Sequence, residues 1–351
     1  MAKKIRVLIV DDAALVRQLL TQVLNEDPDI EVVGAAIDPL MARDMIKRLN
    51  PDVLTLDVEM PRMDGVTFLA NLMRLRPMPV VMVSTLTEKG ADVTLRALEL
   101  GAIDFISKPK LGGTYKLMDY AQEIIAKVKM ASRVHVRALS EQDVAKIKAK
   151  KHGKPVVNMF KTTHKIVAMG SSTGGTEAVK LVLSQLPADF PGIVITQHIP
   201  EAFSRSFAER VNTFSALNVC QAEDGQQILP GHAYIAPGHL HLEVVRNGAR
   251  YLCHLHDEER VNHHKPSVDV LFDSVAKSAG RNALGVILTG MGNDGAKGLK
   301  RMLDAGAATI GQDEKSCVVW GMPKEAYKAG ALQHVLALKD IAKKMISLVR
   351  E

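Results

Sequence analysis

The sequence predicts an α/β protein made of two doubly wound domains in tandem, and three observations carry that reading. Residues 4 to 131 alternate short apolar runs with amphipathic segments five times, the pattern of successive βα units around a parallel sheet. Residues 132 to 160 lose that alternation and gather Lys146, Lys148, Lys150, Lys151 and Lys154, as an interdomain linker would. A second α/β series then opens at "KIVAMG" and runs to the helical pattern "IAKKMISLV". The expected division is a first domain over 1–131, a linker over 132–160 and a second domain over 161–351, the latter with a mostly parallel sheet and one β-hairpin. A chain of 351 residues is long for one core and suits two.

Composition narrows the function classes. Apolar content of 47% and charged content of 24% are those of a soluble globular protein. The start "MAKKIRVLIVDD" meets acidic residues too soon for a signal-peptide core, and no run of about 18 apolar residues follows, so no membrane insertion is expected. Cys220, Cys253 and Cys317 are scattered, which suits a reducing compartment and a cytoplasmic protein. The net charge of +6 is mild, and the 4% of aromatics do not interleave with basic residues, so no nucleic-acid partner is expected.

In the first domain the strands are "IRVLIV", "EVVGAAI", "VLTLD", "VVMVST" and "DFISK", separated by helices such as "AALVRQLLTQVLN" and "TLRALELG". Asp11 and Asp12 follow the first strand, Asp57 closes the third, Ser84 the fourth, and Lys108 the fifth, before Pro109. A doubly wound sheet brings these carboxyl ends to one edge, where such folds bind ligands. Crowded carboxylates call for a hard divalent counter-ion such as Mg²⁺. With a lysine and a hydroxyl beside them, they suit phosphoryl transfer onto Asp57. A single aspartate at a strand end is most often a solvated turn residue; five such positions in register are not explained that way.

"VLIVDDAALVRQLL", "DVLTLDVEMPRMDG", "VVMVST" and "DFISKP" resemble the receiver domain of bacterial response regulators over residues 4 to 127. The resemblance implies Asp57 as phosphoacceptor, Asp11 and Asp12 with it as Mg²⁺ ligands, and Lys108 on the phosphoryl group. It makes Ser84, rather than Thr85, the switching hydroxyl and Phe105 the coupled aromatic.

The second domain opens with Gly170-Ser171-Ser172-Thr173-Gly174, a G-x-S-x-G turn between a strand and the helix "TEAVKLVLSQL". There Ser172 would sit at a helix N-terminus, where backbone N–H groups favour developing negative charge. A phosphate-binding loop is the alternative, though no lysine stands where a Walker loop needs one. A nucleophilic serine requires a base and an orienting acid. His198, ending "GIVITQH", and Asp294, in "ALGVILTGMGNDGAKG", are picked by their place at strand ends. "GMGNDG" also satisfies G-x-G-x-x-G with Asp313 at ribose distance, so a receiver-controlled dinucleotide oxidoreductase is a second reading; Asp294 would then sit against a pyrophosphate. A response regulator with a DNA-binding output is a third, disfavoured because the second half is a βα series rather than a helix-turn-helix.

"MGSSTGGTEAV", "VITQHIPEAFSRSFAERV", "YIAPGHLH", "HKPSVDVLFDSVA", "LTGMGNDGAKGLKRM" and "GMPKEA" are similar to the catalytic domain of chemotaxis protein-glutamate methylesterases over residues 164 to 348. The resemblance implies Ser172 as nucleophile, His198 as general base and Asp294 as its partner, with Thr173, Met291 and Gly292 around the oxyanion. Ser171 stands where members often carry alanine, and its hydroxyl is expected to be harmless. The implied reaction is hydrolysis of glutamate methyl esters on chemoreceptors, releasing methanol, with deamidation of receptor glutamines as a second activity. The implied controls are a chemotaxis histidine kinase as phosphodonor and a receiver that covers the esterase site until Asp57 is phosphorylated. A monomer is expected.

"GHLHLEVVRNGARYLCHLHD" reads as a hairpin turning at Asn247-Gly248, which would pair His241 with His254 and His239 with His256 on one face. Such a face could hold Zn²⁺, but a polar strand face is the plainer expectation. His263 and His264 are expected to be loop or substrate-side residues.

Overall fold

Five buried apolar strands form one parallel sheet in the first unit, in the order β2-β1-β3-β4-β5. They are β1 (Ile5–Val10), β2 (Ile30–Ala36), β3 (Val53–Asp57), β4 (Val80–Ser84) and β5 (Asp104–Ser107). The computed structural model describes residues 3–85, 87–108, 117–138 and 165–350, divided into two units, Met1–Ala149 and Lys150–Glu351. Pro109 and the five linker lysines lie outside the described residues. Between the strands run α1 (Ala14–Asn25), α2 (Pro39–Leu49), α3 (Gly65–Leu75) and α4 (Glu88–Glu99), with α5 (Leu117–Ala131) after β5.

Local chemistry sets the helix starts. Asp38 accepts the Met41 N–H at 2.8 Å with Pro39 in the first turn, and Asp64 accepts the Thr67 N–H at 2.7 Å. Such caps contribute about 1 kcal/mol each. Leu8, Ile9, Leu54, Leu56 and Val81 are fully buried, as strands covered on both faces must be. The strand order reverses at β1, which opens a crevice beside the ends of β1 and β3.

The second unit is built the same way around seven parallel strands. β6 (Ile166–Ser171) lies at its centre, in the order β14-β13-β12-β6-β7-β9-β8. The other strands are β7 (Ile193–Gln197), β8 (Asn218–Gln221), β9 (His232–Ile235), β12 (Ala283–Ile287), β13 (Ala308–Gln312) and β14 (His334–Leu336). The helices are α6 (Gly175–Leu183), α7 (Glu201–Asn212), α8 (Val268–Ala279), α9 (Ala296–Asp304), α10 (Met322–Lys328) and α11 (Leu338–Arg350). The chain leaves β6 toward β7 and later returns to β12 on its other side, so the switch point lies at the end of β6. At Gly170 a Cβ would come within 2.2 Å of Val268 Cγ1. The bare backbone there lets the start of α8 press against β6, bringing Ser267 and Asp269 to the same edge.

A separate hairpin, β10 (His241–Asn247) and β11 (Arg250–His256), packs against α8. Its register differs from the expected one: His241 pairs with His256 and Glu243 with His254. The turn is Gly248-Ala249, with Gly248 at φ 60, the first-position glycine of a type II′ turn, rather than Asn247-Gly248. His239 precedes the strand and reaches Glu201 at 3.3 Å instead of joining a histidine face.

Candidate active site

His198 follows β7 and Asp294 lies between β12 and α9, yet His198 Nε2 meets Asp294 Oδ2 at 2.8 Å. Asp294 is 1% exposed and is held by four further donors. Its Oδ1 accepts Asn262 Nδ2 at 2.7 Å, Ser267 Oγ at 2.8 Å and the Asp269 N–H at 3.2 Å. Its Oδ2 accepts the Val268 N–H at 2.7 Å. Burial alone would push this carboxyl up, but the hydrogen bonds and charge from His198, with Asn262 and the Val268 amide, hold it well below the usual carboxylate range. Asp294 is therefore a fixed anion. With Nε2 facing that anion, the Nδ1 atom of His198 is the acceptor side of the ring. It is buried and has no hydrogen-bond partner among the described residues.

The His198 ring is also stacked on His264, with centroids 3.7 Å apart and planes inclined by 12°. Burial, with the neighbouring His198, pushes the His264 imidazole down to about 3, so it stays neutral at ordinary pH. His264 was expected only as a loop or substrate-side residue. Its stacking on the ring of His198 comes from the fold of the loop after β11.

Ser172 stands in the short turn after β6, half-buried, with its N–H donating to Thr289 O at 3.1 Å. His198 N–H donates to Ser171 O at 3.1 Å, which makes Ser172 and His198 neighbours at the sheet edge. The orphaned Nδ1 of His198 is not yet bonded to the Ser172 hydroxyl; in free hydrolases such contacts are often loose. Gln197 links the two turns. Its Nε2 donates to Ser172 O at 2.9 Å and His198 O at 3.1 Å, while its Oε1 accepts the Ser171 hydroxyl at 2.6 Å. The Ser171 hydroxyl, expected to be merely tolerated, is thus part of a buried clamp. A Cβ on Gly290 would lie 2.8 Å from Ser172 Cβ, so the Gly290 backbone, which leads into Met291 and Gly292, runs directly beside the serine. Thr173 adjoins it on the other side.

The first unit's edge is a different kind of site. Asp11 and Asp57 are each 1% exposed, and Asp12 is exposed. Lys108 Nζ lies 2.8 Å from Asp57 Oδ2 and 3.1 Å from Asp11 Oδ2. Both Oδ2 atoms are buried without an aligned hydrogen-bond donor, and Asp11, Asp12 and Asp57 offer oxygens within 4.8 Å of one another. Such under-supplied oxygens fit a hard divalent cation. Burial and the Asp11 charge, opposed by Lys108, raise Asp57 to about 6. Ser84 ends β4, where its Oγ donates to Thr85 O at 3.3 Å and accepts from Thr94 at 2.8 Å. Phe105 is buried in β5, with Lys127 Nζ 5.3 Å from its ring centroid. The carboxylate of Asp313, the residue a dinucleotide reading needs free, is taken by Ser316, whose N–H donates at 3.0 Å.

Both edges have relatives. The CheB methylesterase family model matches residues 167–345, and that of the response regulator receiver domain matches residues 7–116. Over 347 residues the chain is 59% identical to a protein-glutamate methylesterase/protein-glutamine glutaminase 1 of Xanthomonas campestris pv. campestris, covering 98% of this chain and 97% of that one. It is 55% identical to a protein of Hydrogenovibrio crunogenus described as protein-glutamate methylesterase/protein-glutamine glutaminase, across 99% of this chain and all of the relative. Among solved structures, the Thermotoga maritima CheB methylesterase catalytic domain is similar at a TM-score of 0.52 and 40% identity, covering 53% of this chain and 98% of that domain.

Proposed function

The chain belongs to the CheB methylesterase family, and from that premise we propose that it hydrolyses glutamate methyl esters of chemoreceptors and deamidates receptor glutamines, under control of receiver phosphorylation. The observation that carries the reading is the buried, five-donor anion Asp294 behind His198, whose Nδ1 is left without a hydrogen-bond partner and whose backbone N–H bonds to Ser171 O, next to Ser172.

Ser172 Oγ attacks the ester carbonyl and passes its proton to His198 Nδ1. The tetrahedral intermediate collapses, His198 returns the proton to the leaving oxygen, and methanol departs from an acyl-enzyme. Water, activated by the same nitrogen, releases glutamate; with a glutamine side chain the leaving group is ammonia. The backbone of Thr173, Met291 and Gly292 flanks the developing oxyanion, where one donor contributes ~3 kcal/mol. Asp294 stabilises the imidazolium without itself taking the proton.

In the receiver, Asp57 is the phosphoacceptor. Asp11, Asp12 and Asp57 would hold Mg²⁺, which when bound would neutralise charge at the phosphorylation site, and the phosphodonor is a chemotaxis histidine kinase. Lys108 binds the phosphoryl oxygens, and Ser84 and Phe105 carry the change outward. The scattered free cysteines favour a reducing, cytoplasmic setting. Among the described residues no helix is long and apolar enough to cross a membrane. A receptor fragment bearing methyl-labelled glutamate esters tests the proposal. Wild type should release labelled methanol and Ser172→Ala none; no release from wild type would overturn the reading.

A further inference from the structure

The four residues after Arg260 form a tight turn that the triad itself does not require. Val261 N–H donates to His264 O at 3.1 Å, and His264 N–H returns a bond to Val261 O at 2.9 Å. Between them Asn262 (φ 53) and His263 (φ 68) are both left-handed. Two consecutive non-glycine residues in that region carry backbone strain, and such strain persists where the surroundings hold it for a purpose. The turn aims two side chains at the triad: His264, which stacks on His198, and Asn262, whose amide lies between two buried carboxylates.

Asn262 Nδ2 is 2.7 Å from Asp294 Oδ1 and 2.7 Å from Asp269 Oδ2. Asp269 is 4% exposed and Asp294 1%. Asp269 takes no part in the reaction; its other oxygen accepts the Gly298 N–H at the start of α9. Two carboxylates buried side by side repel, and without donors between them one takes up a proton. An amide NH₂ has two hydrogens diverging from one nitrogen, so it can serve both anions at once. Burial and the Asp294 charge push Asp269 up, which shows the repulsion the amide has to offset. The charged and titratable groups around the clamp are Asp294, Asp269 and Asp273, His198, His264 and, through Ser267, His241, with Arg301 near Asp269.

The geometry points to Asn262 as a positioning residue for the esterase. Its amide bridges Asp294 to Asp269, keeps both as anions, and pins Asp294 Oδ1 so that Oδ2 stays directed at His198 Nε2. The inference rests on the triad reading of Ser172, His198 and Asp294.

Full-length Asn262→Ala, Asn262→Asp and Asn262→Ala/Asp269→Asn test it through kcat, KM and the pH profile of methanol release. Loss of orientation at a base costs about 10- to 100-fold, so kcat of Asn262→Ala should fall in that range with KM little changed. The acid limb of its profile should move to higher pH, because the carboxylate pair then takes up a proton that disables Asp294. Adding Asp269→Asn removes one of the two charges, and should bring the limb back and recover part of the rate. Asn262→Asp keeps the size but puts a third carboxyl in the cluster; it should lose more than the alanine variant and serves if that variant does not fold. A merely structural role predicts an unmoved acid limb and a further loss in the double variant, and either result overturns the inference, as does a kcat within twofold of wild type. The low-field proton resonance of the His198–Asp294 hydrogen bond decides the matter without turnover. It shifts in Asn262→Ala if the amide orients Asp294 and stays in place otherwise, even should wild type release no methanol and the triad reading itself fail.

Discussion

Asp57 in the receiver and Asp294 in the esterase unit are equally hidden, each 1% exposed at the carboxyl edge of a parallel sheet, yet their proton affinities move in opposite directions. At Asp57, burial and the charge of Asp11 are opposed mainly by Lys108, and the carboxyl rises to about 6. At Asp294 burial is outweighed by five donors, from Asn262, Ser267, Val268, Asp269 and His198, and the carboxyl falls. Burial sets how much is at stake; the supply of donors decides the sign. An under-supplied carboxylate attracts a cation and then a phosphoryl group, whereas a fully supplied one is a fixed charge that orients a base.

The largest expected effect comes from taking the charge away where it is best held. Asp294→Asn should lower kcat by roughly 10³- to 10⁴-fold with substrate binding retained, as loss of the orienting anion does in other triads; a loss under tenfold in steady-state methanol release would break the contrast. Next, Asp57→Ala should abolish stimulation by a small-molecule phosphodonor while leaving basal esterase activity, and a variant still stimulated would remove Asp57 from the control. Smaller again, Ser267→Ala deletes one of five donors to Asp294 and should cost about tenfold in kcat, corresponding to ~1.4 kcal/mol; no change would mean that the remaining donors suffice.

The smallest effect concerns stability. Asp57 has a folded-state pKa above its ordinary 3.8, so ionising it opposes folding. Receiver stability in chelator should therefore decline as pH rises from about 4 to about 6, by roughly 2 kcal/mol, and level off above. Mg²⁺ should restore it at neutral pH, and Asp57→Asn should flatten the slope. Urea unfolding of the receiver transition at both pH values, with and without metal, reads this directly; a rise in stability over that window would reverse the sign assigned to Asp57.

What the sequence made legible follows from chain order. Parallel βα units place every strand's carboxyl end on one edge, so Asp11, Asp57, Ser84 and Lys108 could be grouped from the apolar periodicity alone, and His198 could be taken from twelve histidines. Asn262, His264, Ser267 and Asp269 could not. They reach Asp294 and His198 from a loop and a helix start with no period of their own, through contacts set by tertiary packing, with Val268 seated against the bare backbone of Gly170. Gln197 was hidden for the same reason, since its role depends on two backbone turns meeting. The hairpin shows the limit in another form. Asn247-Gly248 is a strong turn pair, but Gly248 took the first turn position, and that shift re-paired every histidine along the ladder.

The contrast between the two aspartates is open to one direct measurement: a pH titration of carboxyl carbon resonances in metal-free protein labelled at aspartate, with Asp57→Asn and Asp294→Asn for assignment. Asp57 should titrate near pH 6 and Asp294 should stay ionised to the lowest pH at which the fold survives. Titration of both carboxyls together near the ordinary aspartate value would contradict the account.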